Sequence, residues 1–190
     1  PLARPLMLFS RDRSLAGSAA VVEGSEALRL GLVGAPVTAE TSAIASLLAA
    51  IAANETPPAI HLMRLSTARG VDLVRQAQAA GLAVTASTTW LHLICDATQI
   101  SGQVALPGSD RPALPYDPGL RLEPPLGNPA DRAALIAGVA DGTISAIASD
   151  RSPQTYEEAT VAFAESPPGA IGLELVLPLL WSRLVATGEL

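Results

Sequence analysis

The sequence predicts an α/β fold built on a parallel sheet or barrel, and three observations carry that prediction. Four short apolar runs, at residues 5–9, 59–63, 82–87 and 144–149, read as buried strands bounded by Pro, Gly or charge. A helical pattern follows each run, the alternation that packs helices against a parallel sheet. Nearly half of the 190 residues, 49%, are apolar, enough to build a core of Ala, Leu, Val and Ile with only two each of Trp, Tyr and Phe.

In order, Pro5 to Phe9 gives the first strand, and a helical segment lies near Gly24 to Leu30. A stronger helix runs from Pro36 to about Ala53, with Thr38 as a cap and Glu40 in the first turn, where an acidic side chain suits the helix dipole. Ala59 to Met63 is the second strand. Ser66 or Thr67 caps a helix over residues 68–80 that Gly81 ends. Leu82 to Ser87 is the third strand. Residues 96–129 carry seven prolines between Pro107 and Pro129, which predicts a long irregular excursion of the functional or mobile kind. Order returns with a helix over 130–140, the Asp141-Gly142 turn, the fourth strand from Ile144 to Ser149, and a last helix near Leu173 to Thr187.

Composition excludes several functions. A net charge of −6 argues against a nucleic-acid groove, which needs clustered cations. All twelve basic residues are Arg, so no lysine Schiff base or carboxylated-lysine metal bridge is available. The lone Cys95 cannot form an internal disulfide and fits a reducing compartment, so a cytoplasmic location is expected. The longest apolar region, Ala43 to Ala53, is too short for a membrane span and carries Ser46. No signal peptide, P-loop, dinucleotide fingerprint or internal repeat is present. The chain opens only a few residues before its first strand, which reads as the middle of a longer protein.

Several segments resemble the second half of a dihydroorotase. Leu65-Ser66-Thr67-Ala68-Arg69 is similar to that family's HLSTA signature, and residues 84–93 (VTASTTWLHL) resemble VTAEVTPHHL. Glu123-Pro124-Pro125-Leu126 stands where the family has NPPLR. Residues 141–154 (DGTISAIASDRSPQ) resemble DGTIDAIATDHAPH, and residues 169–174 match the GAIGLE that follows. The resemblance implies strands five to eight of a TIM-type (β/α)8 barrel, with residues 1–190 as the C-terminal half of an amidohydrolase-type barrel domain. In such barrels the chemistry sits at the C-terminal strand ends.

The family is zinc-dependent, and the resemblance identifies three former metal positions: Phe9, Arg64 and Asp150. Phe9 has no lone pair, and Arg64 is a cation with no acceptor. Asp150 survives as the relic of the family base and ligand, while Arg151 and Gln154 replace the histidines near it. Glu123 takes the place of a substrate-binding Asn, and Gly127 that of an Arg. Zinc hydrolysis needs neutral imidazoles or carboxylates converging on one point with an open position for water. The expectation is therefore no metal, with Arg11, His92, Glu123 and Arg151 lining the remaining pocket. Arg64, or as second choice Arg151, is expected to pair with Asp150 and substitute its charge for zinc.

Plainer readings stand beside these. His61 opens an apolar strand and reads as a hydrogen-bonded structural histidine; His92 precedes a loop and reads the same way or as a pocket residue. Cys95 reads as a packed small hydrophobe. Trp90 reads as pocket-filling bulk, and Glu157-Glu158 as a solvated helix start. Arg11, Arg64 and Arg151 are either surface charges or one electropositive pocket.

Three functions follow. The first is a non-catalytic dihydroorotase-like protein of pyrimidine biosynthesis, which the resemblance links to aspartate carbamoyltransferase as a structural partner. The second is an active zinc-dependent dihydroorotase, closing N-carbamoyl-aspartate to dihydroorotate with ligands from outside this chain. The third is a metal-free small-anion binder using arginines. An open half-barrel is expected to expose inward-facing Leu, Val and Ile, so an N-terminal half of the barrel, a second copy or a partner should cover it. No nucleic acid or membrane partner is expected.

Overall fold

The computed structural model describes residues 4–110 and 112–190. Its main sheet has four strands, β1 (Leu6–Phe9), β4 (Ile60–Met63), β5 (Val84–Thr89) and β6 (Ala146–Ala148), hydrogen-bonded in that order and all parallel. The four predicted strands are thus present and adjacent in chain order; the third reaches Thr89 and the last is shorter than expected. Between β1 and β4 lie α1 (Arg13–Ala16), α2 (Ser25–Leu30), α3 (Thr38–Ala52) and a two-stranded parallel pair, β2 (Val21–Val22) with β3 (Gly34–Ala35). Nothing in the sequence signals that pair, because two-residue strands have no period to read.

Alternation decides what each face of the sheet carries. Ile60 and Leu62 of β4 and Val84 and Ala86 of β5 are buried toward the helices. They pack in one core with Val71 and Val74 of α4 (Ala68–Ala79), Ile44 of α3 and Leu135 of α7 (Pro129–Ala140). Helix α4 lies between α3 and α7 and contacts both. The opposite face holds Met7, Phe9, His61, Met63, Thr85 and Ser87, as the pairings Met7 with His61 and His61 with Thr85 require. The expectation of inward-facing Leu, Val and Ile is therefore corrected. Those residues point to the helices, and the concave face is mixed, with a polar centre and Met7 65% exposed at the edge.

The Pro-rich stretch is more ordered than predicted. Helix α5 (Trp90–Ile94) leads into it, and it contains α6 (Ala97–Ile100) and a 3-10 turn at Pro118–Leu120 and buries Leu120, Leu122 and Leu126. After β6 come α8 (Tyr156–Ala159), a second 3-10 turn at Leu173–Leu175, α9 (Val176–Leu180) and a π-helical turn at Trp181–Val185. The single long C-terminal helix of the prediction is these three pieces in succession. The excursion and α9 border an open apolar pocket of about 600 Å³ lined by Trp90, Cys95, Leu106 and Leu179 among others.

Candidate functional site

Three strand ends meet one loop. Chain leaves β1 through Phe9, Ser10 and Arg11, leaves β4 through Arg64, and leaves β6 through Ser149 and Asp150, while residues 121–127 cross over them. Arg64 and Asp150 both adopt positive φ, 59° and 44°. A left-handed turn at a strand end re-aims the side chain away from the pleat, and for residues other than Gly it carries strain.

Those two turns bring the guanidinium and the carboxylate together. Arg64 Nη2 lies 2.9 Å from Asp150 Oδ1, with both side chains near 30% exposed. Arg64 Nη1 donates to Glu123 O at 3.0 Å. Its guanidinium carbon stands 5.2 Å from the centre of the Phe9 ring, a cation–π distance. Phe9, Arg64 and Asp150, singled out in the sequence, are thus one cluster, and the partner of Asp150 is Arg64. Arg11 joins through Glu123: Arg11 Nε is 2.9 Å from Glu123 Oε1, and the Arg11 side chain is only 6% exposed.

Arg151 is not part of this cluster. Its side chain is exposed, and its backbone bridges to Ala170. The positive φ at Asp150 turns the two neighbours in different directions, so adjacency in sequence did not mean adjacency in space. Its place is taken by Arg121, which the sequence reading missed. Arg121 is buried, donates from Nη1 to Leu122 O, and lies within electrostatic reach of Arg11 and Glu123. Burial pushes its guanidinium below its ordinary value; Glu123 opposes that shift and Arg11 adds to it.

Both ring nitrogens of each histidine are engaged by neighbours. His92 Nε2 faces Pro125 O at 3.3 Å, and a carbonyl can only accept, so Nε2 carries the hydrogen and Nδ1 accepts from Thr89 Oγ1 at 2.7 Å. Burial pushes His92 down to about 4, a neutral ring that pins the 121–127 loop to α5. His61 contacts Thr85 Oγ1 at 2.8 Å through Nδ1 and Ser87 Oγ at 3.0 Å through Nε2, and burial lowers its pKa too.

Trp90, Glu40, Asp131 and Gly70 support these strand ends in roles beyond those expected from the sequence. Trp90 donates Nε1–H to Ser149 O at 3.1 Å, so it anchors the end of β6 beside Asp150 besides filling space. Glu40 is fully buried and accepts from Ser66 N and Oγ at 2.9 and 2.5 Å and from Thr67 N and Oγ1 at 3.1 and 2.6 Å, with burial raising its pKa. It thereby fastens the turn that follows Arg64, while Asp131 accepts from Ala68 N at 2.8 Å. Gly70 is what lets Glu40 in, since a Cβ there would collide with Glu40 Oε1. The signal was the Ser-Thr pair, whose four donors need an acceptor.

A zinc ion needs several unengaged donors aimed at one point. Of the three implied positions only Asp150 can donate, and Arg64 engages it. Both ring nitrogens of His61 and of His92 are engaged by hydroxyls or a carbonyl. Among the described residues no three of His, Cys, Asp and Glu gather as a metal set. The residues of this chain do not fit zinc at this place.

Four parallel strands with the polar cluster at their C-terminal ends make up part of a parallel α/β barrel. Solved structures of that type superpose on it: dihydropyrimidinase from Brevibacillus agri matches all of the chain with TM-score 0.73 and 17% identity, over 40% of its own length. L-hydantoinase from Arthrobacter aurescens matches 82% of the chain with TM-score 0.70 and 23% identity, over 32% of its own length. At such identities the likeness is one of fold. No family model matches the chain. In sequence it is 50% identical over 182 residues to a probable dihydroorotase-like protein from Synechocystis, covering 96% of this chain and 40% of that protein. It is 35% identical over 188 residues to dihydroorotase from Thermus aquaticus, covering 97% of this chain and 41% of that protein. Over nearly its whole length the chain is a homologue of dihydroorotases and dihydroorotase-like proteins, and it spans about two fifths of the length of these relatives. Among the described residues no helix is long and apolar enough to cross a membrane.

Proposed function

We propose that this chain is a non-catalytic dihydroorotase-like barrel segment in which an ion pair stands where the family holds zinc, and that it acts as a structural partner of aspartate carbamoyltransferase in the cytoplasm. One observation carries the first part. Arg64 sits 2.9 Å from Asp150 and against Phe9, so the cluster is held by charge complementarity and a ring face rather than by metal bonds. A guanidinium neutralises the carboxylate and accepts no lone pair, so it activates no water. The partner rests on the resemblance, and the barrel's flanks at β1 and β6 would be closed by an N-terminal half or a second copy.

The test is metal analysis of protein purified without chelator, together with dihydroorotate hydrolysis and light scattering after mixing with aspartate carbamoyltransferase. The expected result is substoichiometric zinc, no turnover and a co-eluting complex. Stoichiometric zinc lost on Asp150→Ala overturns the metal-free reading, and separate elution overturns the partnership. The competing reading, an active zinc-dependent dihydroorotase completed by residues outside this chain, is favoured by the identity of 35–37% to proteins named dihydroorotase. It requires those outside residues to displace Arg64 from Asp150.

A further inference from the structure

The Nε–Nη2 edge of arginine takes a carboxylate through two parallel hydrogen bonds. In Arg11 that whole edge is buried and lacks a hydrogen-bond partner. Glu123 Oε1 lies 2.9 Å from Nε, an ionic contact off the hydrogen-bond axis, and among the described residues Nη2 has no hydrogen-bond partner. Two further donors are buried and unsatisfied, Ser10 Oγ beside Arg11 in the chain and Arg121 Nε on the crossing loop. Buried unpaired donors each carry a desolvation cost, and four spread over one strand end and the loop beside it are uncommon in a folded protein.

The charges agree with the donors. Arg64 is neutralised by Asp150, which among the described residues leaves Arg11 and Arg121 with Glu123 as their one close carboxylate. The side chain of Glu123 is 34% exposed, unlike the arginine it contacts, so it can swing outward without opening the core. The unpaired donors are therefore a guanidinium edge and a second guanidinium, with a buried hydroxyl one residue away in the chain and an acidic side chain partly in the way.

We propose that Arg11, Arg121 and Ser10 form a binding site for a small carboxylate, over which Glu123 acts as a displaceable cover. The incoming carboxylate takes the Nε and Nη2 hydrogens of Arg11 and the Nε hydrogen of Arg121, and Glu123 moves to solvent. This goes beyond the reading above and does not depend on it, because the zinc and assembly tests are blind to these residues.

The experiment follows the arginine Nε–H cross-peaks of 15N-labelled protein on titration with acetate, with acetamide as neutral isostere and chloride at matched ionic strength. Saturable shifts of the Arg11 and Arg121 peaks by acetate alone are expected, with a dissociation constant on the order of 1 mM for so small a ligand. Glu123→Gln should tighten binding about tenfold and Arg11→Lys weaken it about tenfold or more. No saturable shift in either the wild type or Glu123→Gln overturns the proposal, as does an equal response to chloride or acetamide. If Arg11→Lys does not fold, Glu123→Gln decides alone: unchanged affinity there overturns the cover.

Discussion

Replacing Arg64 by Ala removes three contacts at once, and their sum can be worked from the structure. Two unit charges about 4 Å apart at an effective dielectric of about 20 attract by roughly 4 kcal/mol. Here the side chains of Arg64 and Asp150 are 30% and 28% exposed, so solvent screens the pair to about 1–2 kcal/mol. The hydrogen bond to Glu123 O adds about 1 kcal/mol, and the guanidinium over Phe9 about 0.5–1 kcal/mol. Arg64→Ala should thus cost about 3 kcal/mol and Asp150→Ala about 1–2 kcal/mol, with a coupling of about 1 kcal/mol. The roughly 3–5 kcal/mol lost when a fully buried pair is broken does not apply, because neither partner is fully buried. The assay is urea unfolding of the wild type, both single variants and the double variant, at about 0.05 M and about 0.5 M salt, where screening should shrink the coupling. Coupling below about 0.3 kcal/mol at low salt refutes the view that this pair organises the strand ends.

Three further outcomes are expected. His92 titrates near 4 when folded against 6.5 unfolded, so its contribution is full above pH 6.5 and is lost as pH falls toward 4. That is about 3 kcal/mol, and His92→Gln should flatten that part of the pH–stability curve; an unchanged slope contradicts the assignment. Cys95, pushed up to about 12 by burial and by Asp96, should react with iodoacetamide at least about 100-fold more slowly than in urea, and comparable rates would show the thiol to be open. Gly70→Ala should cost about 2 kcal/mol or more through its collision with Glu40, and less when combined with Glu40→Ala; strict additivity in thermal unfolding would place the strain elsewhere.

The strands were legible because each is a short apolar run with turn residues on both sides, and the trio Phe9, Arg64 and Asp150 was legible because motif order fixed which strand ends to compare. Arg121 was not, since nothing local distinguishes a buried arginine from a surface one inside a Pro-rich stretch. Arg151 misled for the complementary reason: a single left-handed residue before it reversed its direction. Glu40 was read as a dipole-matching residue of the first turn of α3. Its role as acceptor for Ser66 and Thr67 depends on a contact across 26 residues that no local pattern encodes. The concave face was misjudged because strand composition was counted without phase. The same runs hold Leu and Ile on one parity and His, Thr and Ser on the other.

The paired left-handed residues set two pressures against each other over generations. At φ 59° and 44°, the backbone at positions 64 and 150 favours Gly over Arg and Asp by about 1 kcal/mol each. Selection on stability alone would release that strain at either position. The side chains resist only jointly, because each gives the other its counter-charge. Once one is exchanged, its partner holds an isolated charge in a strained conformation, and its own replacement then costs less than it did before. Positions 64 and 150 should therefore change together across lineages, whereas the exposed Arg151 next door is free to vary alone.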